Sequence, residues 1–193
     1  MLAIGQNMAL KIEPSIQLHC FEPSLATFCQ LTVSQWPDNV YLNNVGLGDA
    51  EGQLELNIVN PASGLNSLYL RHGVESARAT NKEKIFVTTV DAYCEKRGIE
   101  RIHFIKVDTE GHELSIFKGM GRMLADGRVN IIQFEYGGCN LDARVYLADI
   151  WEFLQPFGLK FFKLFPQGSR EISAYSQSIE TFKYSNWVAR LTS

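Results

Sequence analysis

The sequence has no apolar run approaching the ~18 residues that would mark a membrane-spanning helix, and its first residues lack the charged-then-apolar plan of a secretory signal. Its four cysteines, Cys20, Cys29, Cys94 and Cys139, include no CxxC pair. A chain of 193 residues needs no disulfide framework to hold its core, so a reducing cytoplasm is the simplest compartment. Neither the cysteines nor His19, His72, His103 and His112 fall at metal-ligand spacing, and no metal is expected. Concentrated positive charge is missing too. The net charge is -3, and Arg78, Lys82 and Lys84 are interleaved with Glu75 and Glu83, which reads as a solvated loop and argues against a dedicated nucleic-acid binder. There is no internal repeat, low-complexity tract or linker, so residues 1–193 are expected to form a single domain.

What is present is a hydrophobic fraction of 46%, enough for a substantial core, and a strand-helix alternation. Strands are expected at 16–21, 40–47, 53–59, 86–90, 104–107, 129–135, 159–165 and 187–191. Helices are expected at 25–33 behind an N-cap Ser24, from Asp91 as cap to Lys96 or Arg97 with Gly98 closing, from Glu113 through Met120, and at 145–154 with Gly158 beyond. Residues 61–80 read as a long irregular excursion. Such alternation predicts an α/β fold with a mostly parallel sheet covered on both faces.

In sheets of that kind ligands bind outside the carboxyl ends of the strands, and Glu22, Asp49, Asp108, Glu110 and Glu135, five acids at the ends of four strands, are expected on one rim. A carboxylate such as Glu22 matches the vicinal diol of a ribose, although a helix N-terminal acid after Pro23 would look the same. Asp49 can accept from an adenine amino group, and Gly48-Asp49 is also an ordinary turn. Asp108 and Glu110 flank Thr109, and Gly111 permits a sharp turn or the close approach of a ligand.

The series FEPS (21–24), NNVGLGDAEG (43–52), SL (67–68), TTVDAY (88–93), FIKVDTEGHELSIFKGM (104–120) and IIQFEY (131–136), with SNWVA (185–189), resembles the FkbM-type methyltransferases. The resemblance implies a Rossmann-like class I methyltransferase fold and S-adenosylmethionine as cofactor. By position, Glu22 corresponds to the ribose-binding acid, Gly48 and Asp49 to the adenine contact, and Asp108 to the acid beside the methyl donor, with Glu110 and Gly111 completing that signature. The implied reaction is methyl transfer to an oxygen of a small-molecule, sugar or lipid-linked acceptor. A base must take the hydroxyl proton, and His112, at the start of a helix where it can point to solvent, competes for that role with Glu135 and Tyr136. Lys106 is expected to pair with one of the acids or to reach an edge.

One feature of the family is missing. Its members begin with a strand and a glycine-rich turn resembling DVGANxG, and the nearest text here is AIGQN (3–7). Either AIGQN is a degenerate turn, or the residues up to Ile12 end a helix, as the spacing Met1, Ile4, Met8, Ile12 favours, and the turn lies upstream of this sequence. In the second case a strand is missing between those that end at Glu22 and Asp108, and the chain alone should hold the donor poorly. A non-catalytic nucleotide-binding or interaction module is the alternative function. A nicotinamide-dependent oxidoreductase is disfavoured because no GxGxxG precedes Glu22. Residues 61–80 and 137–147, the latter offering Asn140, Asp142, Arg144 and Tyr146, would cover the acceptor side.

Overall fold

The computed structural model describes residues 10–60, 63–72 and 78–191. AIGQN and Glu75 lie outside them; residues 10–12 are helical. The strands are β1 (Leu18–Phe21), β2 (Val40–Asn43), β3 (Gly46–Leu47), β4 (Gly52–Ile58), β5 (Asn81–Thr88), β6 (Ile105–Val107), β7 (Ile131–Tyr136), β8 (Leu159–Phe165), β9 (Gly168–Ile172) and β10 (Ser185–Leu191). The helices are α1 (Leu25–Val33), α2 (Val90–Arg97), α3 (Glu113–Lys118), α4 (Gly121–Ala125), α5 (Gly138–Ala143) and α6 (Leu147–Leu154). No helix among the described residues is long and apolar enough to cross a membrane.

The expected mostly parallel sheet is not what forms. The described residues form three sheets, ordered β1-β2, β3-β5-β4 and β6-β7-β10-β8-β9. Pairing is parallel for β1 with β2, β3 with β5 and β6 with β7, and antiparallel elsewhere. For β8 and β9 the reason is local connection length. β8 and β9 are joined through Pro166 and Gln167 as a tight hairpin, with Gly168 at φ 138°, and a short link returns the chain antiparallel. β9 is almost wholly exposed, so its sequence GSREI lacks the apolar alternation that marks a half-buried strand. The expected strand 40–47 is broken at Asn44, whose amide donates to the carbonyls of Glu22 and Pro23, while Asn43 donates to that of Cys20. These bonds fix the first two strand ends against each other and release Gly46–Leu47 to pair with β5.

Two helix caps also differ from expectation. Ser24 stands at the N-cap of α1 without a side-chain bond to the helix, and Glu83 instead accepts from the Leu25 N–H. Thr89, not Asp91, caps α2 by accepting from the Ala92 N–H. Asp91 reaches across to accept from the N–H groups of Arg122 and Met123, so it caps α4. Gly98 closes α2 in the left-handed conformation as expected.

The main core lies on the five-stranded sheet. Ile132, Phe134, Trp187, Ala189, Leu147, Ile150 and Leu154 are fully buried, as are Phe117 and Met120. Each buried Leu, Ile, Phe or Met among them contributes roughly 1.5–3 kcal/mol through apolar burial. β3, β4 and β5 carry a smaller core of Leu56, Ile85 and Val87, and around β1, β2 and α1 only Cys20, Ser24 and Leu31 are buried.

Candidate active site

The parallel pair β6-β7 sets Asp108 and Glu135 side by side, because Lys106 faces Gln133 in the register and both strands end within two residues. Lys106 Nζ lies 2.6 Å from Asp108 and 3.9 Å from Glu135. The Tyr184 hydroxyl donates to Glu135 at 2.6 Å. Burial pushes the Glu135 carboxyl above the usual carboxylate range, the Tyr184 bond opposes this, and the neighbouring Asp108 charge reinforces it. The half-exposed Lys106–Asp108 pair contributes at most about 1 kcal/mol to stability, so its effect falls on charge balance at the strand ends.

Glu110 takes a different position. It sits at φ 53°, uncommon for a residue with a side chain, and its carboxylate meets the Arg71 guanidinium at 2.5 Å. Arg71 also binds Asp142 at 3.0 Å, and the Ser67 hydroxyl donates to the Glu110 carbonyl. Burial raises the Glu110 pKa and Arg71 counters it. Gly111, at φ 105°, admits not a ligand but helix α5: a Cβ there would stand 2.8 Å from the Cys139 carbonyl.

His112 does not face solvent. It is 9% exposed, its Nδ1 is 3.0 Å from the Tyr69 hydroxyl, and its Nε2 is buried without a hydrogen-bond partner among the described residues. Burial lowers its pKa, against a smaller opposing influence of Asp49, which holds the ring neutral at neutral pH. The next residue, Glu113, has no exposed surface. Its carboxylate accepts from the N–H groups of Thr109 and Gly111, the Thr109 hydroxyl and the Asn140 amide. Asn140, expected to face an acceptor, is buried and spent on this network and on the Gly137 N–H. Glu113 therefore shapes the DTEG turn, a role that its helical spacing concealed.

Gly48 and Asp49 join this region to the first sheet. The Asp49 N–H donates to the Ser115 hydroxyl, and a Cβ on Gly48 would press on Val87 at 2.9 Å and on His112 Nε2 at 3.2 Å. A Cβ on Gly119 would stand only 1.9 Å from the Gly48 carbonyl. The Asp49 carboxylate is exposed and has no hydrogen-bond partner among the described residues. Further along, Pro23 packs near Gly46, and Glu22 Oε1 accepts from the Ser24 N–H. Burial raises the Glu22 pKa. The structure thus brings Asp108 to Glu135, and Gly48 to His112; Glu110 is engaged by Arg71, and Glu22 stands with β1 and β2. Sequence reasoning missed Arg71, Tyr69, Glu113 and Tyr184. The spacing Ser67, Tyr69, Arg71 was the available signal, since alternate residues of an extended segment share a side.

A model of the methyltransferase FkbM domain matches residues 5–161. The fold is similar to the crystal structure of methyltransferase FkbM from Methylobacillus flagellatus KT, with a TM-score of 0.52 and 14% identity, over 96% of this chain and 40% of that one. No curated protein matches the sequence. The chain thus spans well under half of that methyltransferase, and the likeness concerns the fold alone. The match across residues 5–161, carrying the strand-end acids and the DTEG turn just described, places the chain in the FkbM methyltransferase family.

Proposed function

We propose that this chain uses S-adenosylmethionine to methylate a hydroxyl of a small-molecule acceptor. The observation that carries the reading is the Asp108–Glu135 pair at the ends of adjacent parallel strands, in a chain matched to the family over that whole region. The residues present fit the donor's nucleoside half. Glu22 keeps Oε2 without a partner among the described residues, available to a ribose hydroxyl, and Asp49 presents an exposed acceptor suited to an adenine amine. Bound S-adenosylmethionine would supply an electrophilic methyl on a sulfonium. Glu135, with its raised pKa, is the proton acceptor for the attacking hydroxyl, oriented by Tyr184. Lys106 limits the repulsion between Asp108 and ionised Glu135. His112, enclosed and tied to Tyr69, supports the Gly48 turn from beneath.

The test is calorimetric titration with S-adenosylmethionine. Glu22→Ala is expected to weaken binding roughly ten- to hundredfold, the equivalent of about 1.5–3 kcal/mol for hydrogen bonds to a charged group. Unchanged affinity in the folded variant removes Glu22 from the site. No binding of the donor by this chain would count against this reading.

A further inference from the structure

Glu135 lies on the face of the five-stranded sheet turned away from the main core. Alternation along β7 sends Phe134 and Tyr136 into that core and leaves Gln133 and Glu135 on the opposite face. The register of β10 sets Asn186 directly opposite Glu135, and partners across a sheet share a face. Polar side chains here form one continuous run of hydrogen bonds. The Gln133 amide donates to Asn186 Oδ1 at 3.2 Å, the Asn186 amide donates to the Tyr184 hydroxyl at 3.2 Å, and that hydroxyl donates to Glu135 at 2.6 Å.

Tyr184 is 70% exposed, so packing does little to fix its ring. It is held at its two ends instead. At the backbone, a Cβ on Gly137 would lie 3.3 Å from the Tyr184 Cα, so glycine directly after β7 lets the chain entering β10 lie close against the strand end. At the tip, the Asn186 amide donates to the hydroxyl oxygen, which leaves the phenolic proton to Glu135 and polarises the O–H bond. Lys106 and Asp108 are the charged groups facing Glu135, and they stand on the β6 side, whereas this run approaches from β10. Cohesion of the sheet does not call for it, since the backbone ladder from Ser185 to Arg190 already joins β10 to β7.

We infer that Gln133, Asn186 and Gly137 are positioning residues that act through Tyr184, holding its hydroxyl on Glu135 with the proton directed at the carboxylate. They thereby keep Glu135 in the ionised and oriented form that a proton acceptor needs. The inference rests on the methyltransferase reading for the use to which Glu135 is put. Gln133 secures the Asn186 amide, Asn186 directs the hydroxyl, and Gly137 sets the distance of the Tyr184 backbone.

The test is carbon-detected NMR titration of the Glu135 carboxyl in the whole chain, with neither methyl donor nor acceptor present. Tyr184→Phe should raise the midpoint by about half a unit to one unit, the size of one lost hydrogen bond. Asn186→Leu and Asn186→Thr should each move it in the same direction by less, and should add nothing in the Tyr184→Phe background, because their effect passes through that hydroxyl. A general loosening of the fold would not depend on the Tyr184 hydroxyl in this way. A midpoint that stays or falls in the Asn186 variants, or a shift that is equal with and without the Tyr184 hydroxyl, overturns the inference. If the midpoints move as stated while the acidic limb of methyl transfer stays in place, the positioning of Glu135 stands and its use as the base falls.

Discussion

A carboxylate serves as a base only when ionised, and at Glu135 burial works against ionisation, with Asp108 adding to the resistance. Methyl transfer should therefore rise with pH through a Glu135 pKa lying above the ordinary carboxylate range. Asp108→Asn keeps the side chain's size and removes one negative charge. Turnover is expected to fall at least tenfold with little change in melting temperature, while the acidic limb of kcat/KM moves to lower pH because Glu135 ionises more readily. An unmoved limb would detach Glu135 from the proton transfer, and full turnover would reduce Asp108 to a strand-end residue. Glycine carries a comparable constraint at Gly119. A methyl group there would sit 1.9 Å from the Gly48 carbonyl, inside any tolerable contact, so Gly119→Ala must push the Gly48 turn away from α3. A loss of about 2 kcal/mol or more is expected in chemical denaturation, within the range for overpacking a tight site. A neutral result would mean that the two segments separate at little cost.

At the level of elements, the segment around 67–72 behaves as a strap across the DTEG turn, through Ser67 to the Glu110 carbonyl, Tyr69 to His112, and Arg71 to both Glu110 and Asp142. Arg71→Ala removes two ion pairs at once and leaves two largely buried carboxylates facing each other, at an expected cost of about 2 kcal/mol after allowance for partial exposure. Amide exchange should quicken at residues 67–72 and 110–112 and stay unchanged in β7 and β10; uniform protection throughout would show that the strap does not depend on Arg71. This strap illustrates why the sequence was only partly legible. The strand-end acids, the DTEG turn and most strands could be read, because apolar runs and glycines carry local signals. Residues 61–80 looked irregular, because the bonds that order Ser67, Tyr69 and Arg71 reach some 40 positions along the chain, and no local periodicity records them. β9 was lost for a related reason: an edge strand facing water on both sides has no apolar face to betray it. The parallel sheet was wrongly expected because alternation of elements says nothing about the direction in which β10 returns.

Across the whole molecule stability is unevenly spread, since the large core belongs to the five-stranded sheet while β1, β2 and α1 bury little and leave Leu25 and Val33 exposed. Hydrogen exchange should rank accordingly, with β7 and β10 protected to the global limit and β1, α1 and β2 opening well before it. Equal protection in the two regions would show that they unfold as one unit. Site residues are divided between these regions, Glu22 on the weaker one and Asp108 and Glu135 on the stronger. Donor binding that joins them should slow exchange most in β1 and β2. The position of β10 has a consequence for how the molecule is made. Its residues 185–191 fill the interior slot between β7 and β8, which precede it by some 20 to 50 positions. A ribosome making the protein therefore releases β7 and β8 with facing edges unpaired, and they must wait until Leu191 has cleared the exit tunnel. At about 5–20 residues per second, that wait lasts seconds, during which the two unpaired edges are open to neighbouring nascent chains and to chaperones.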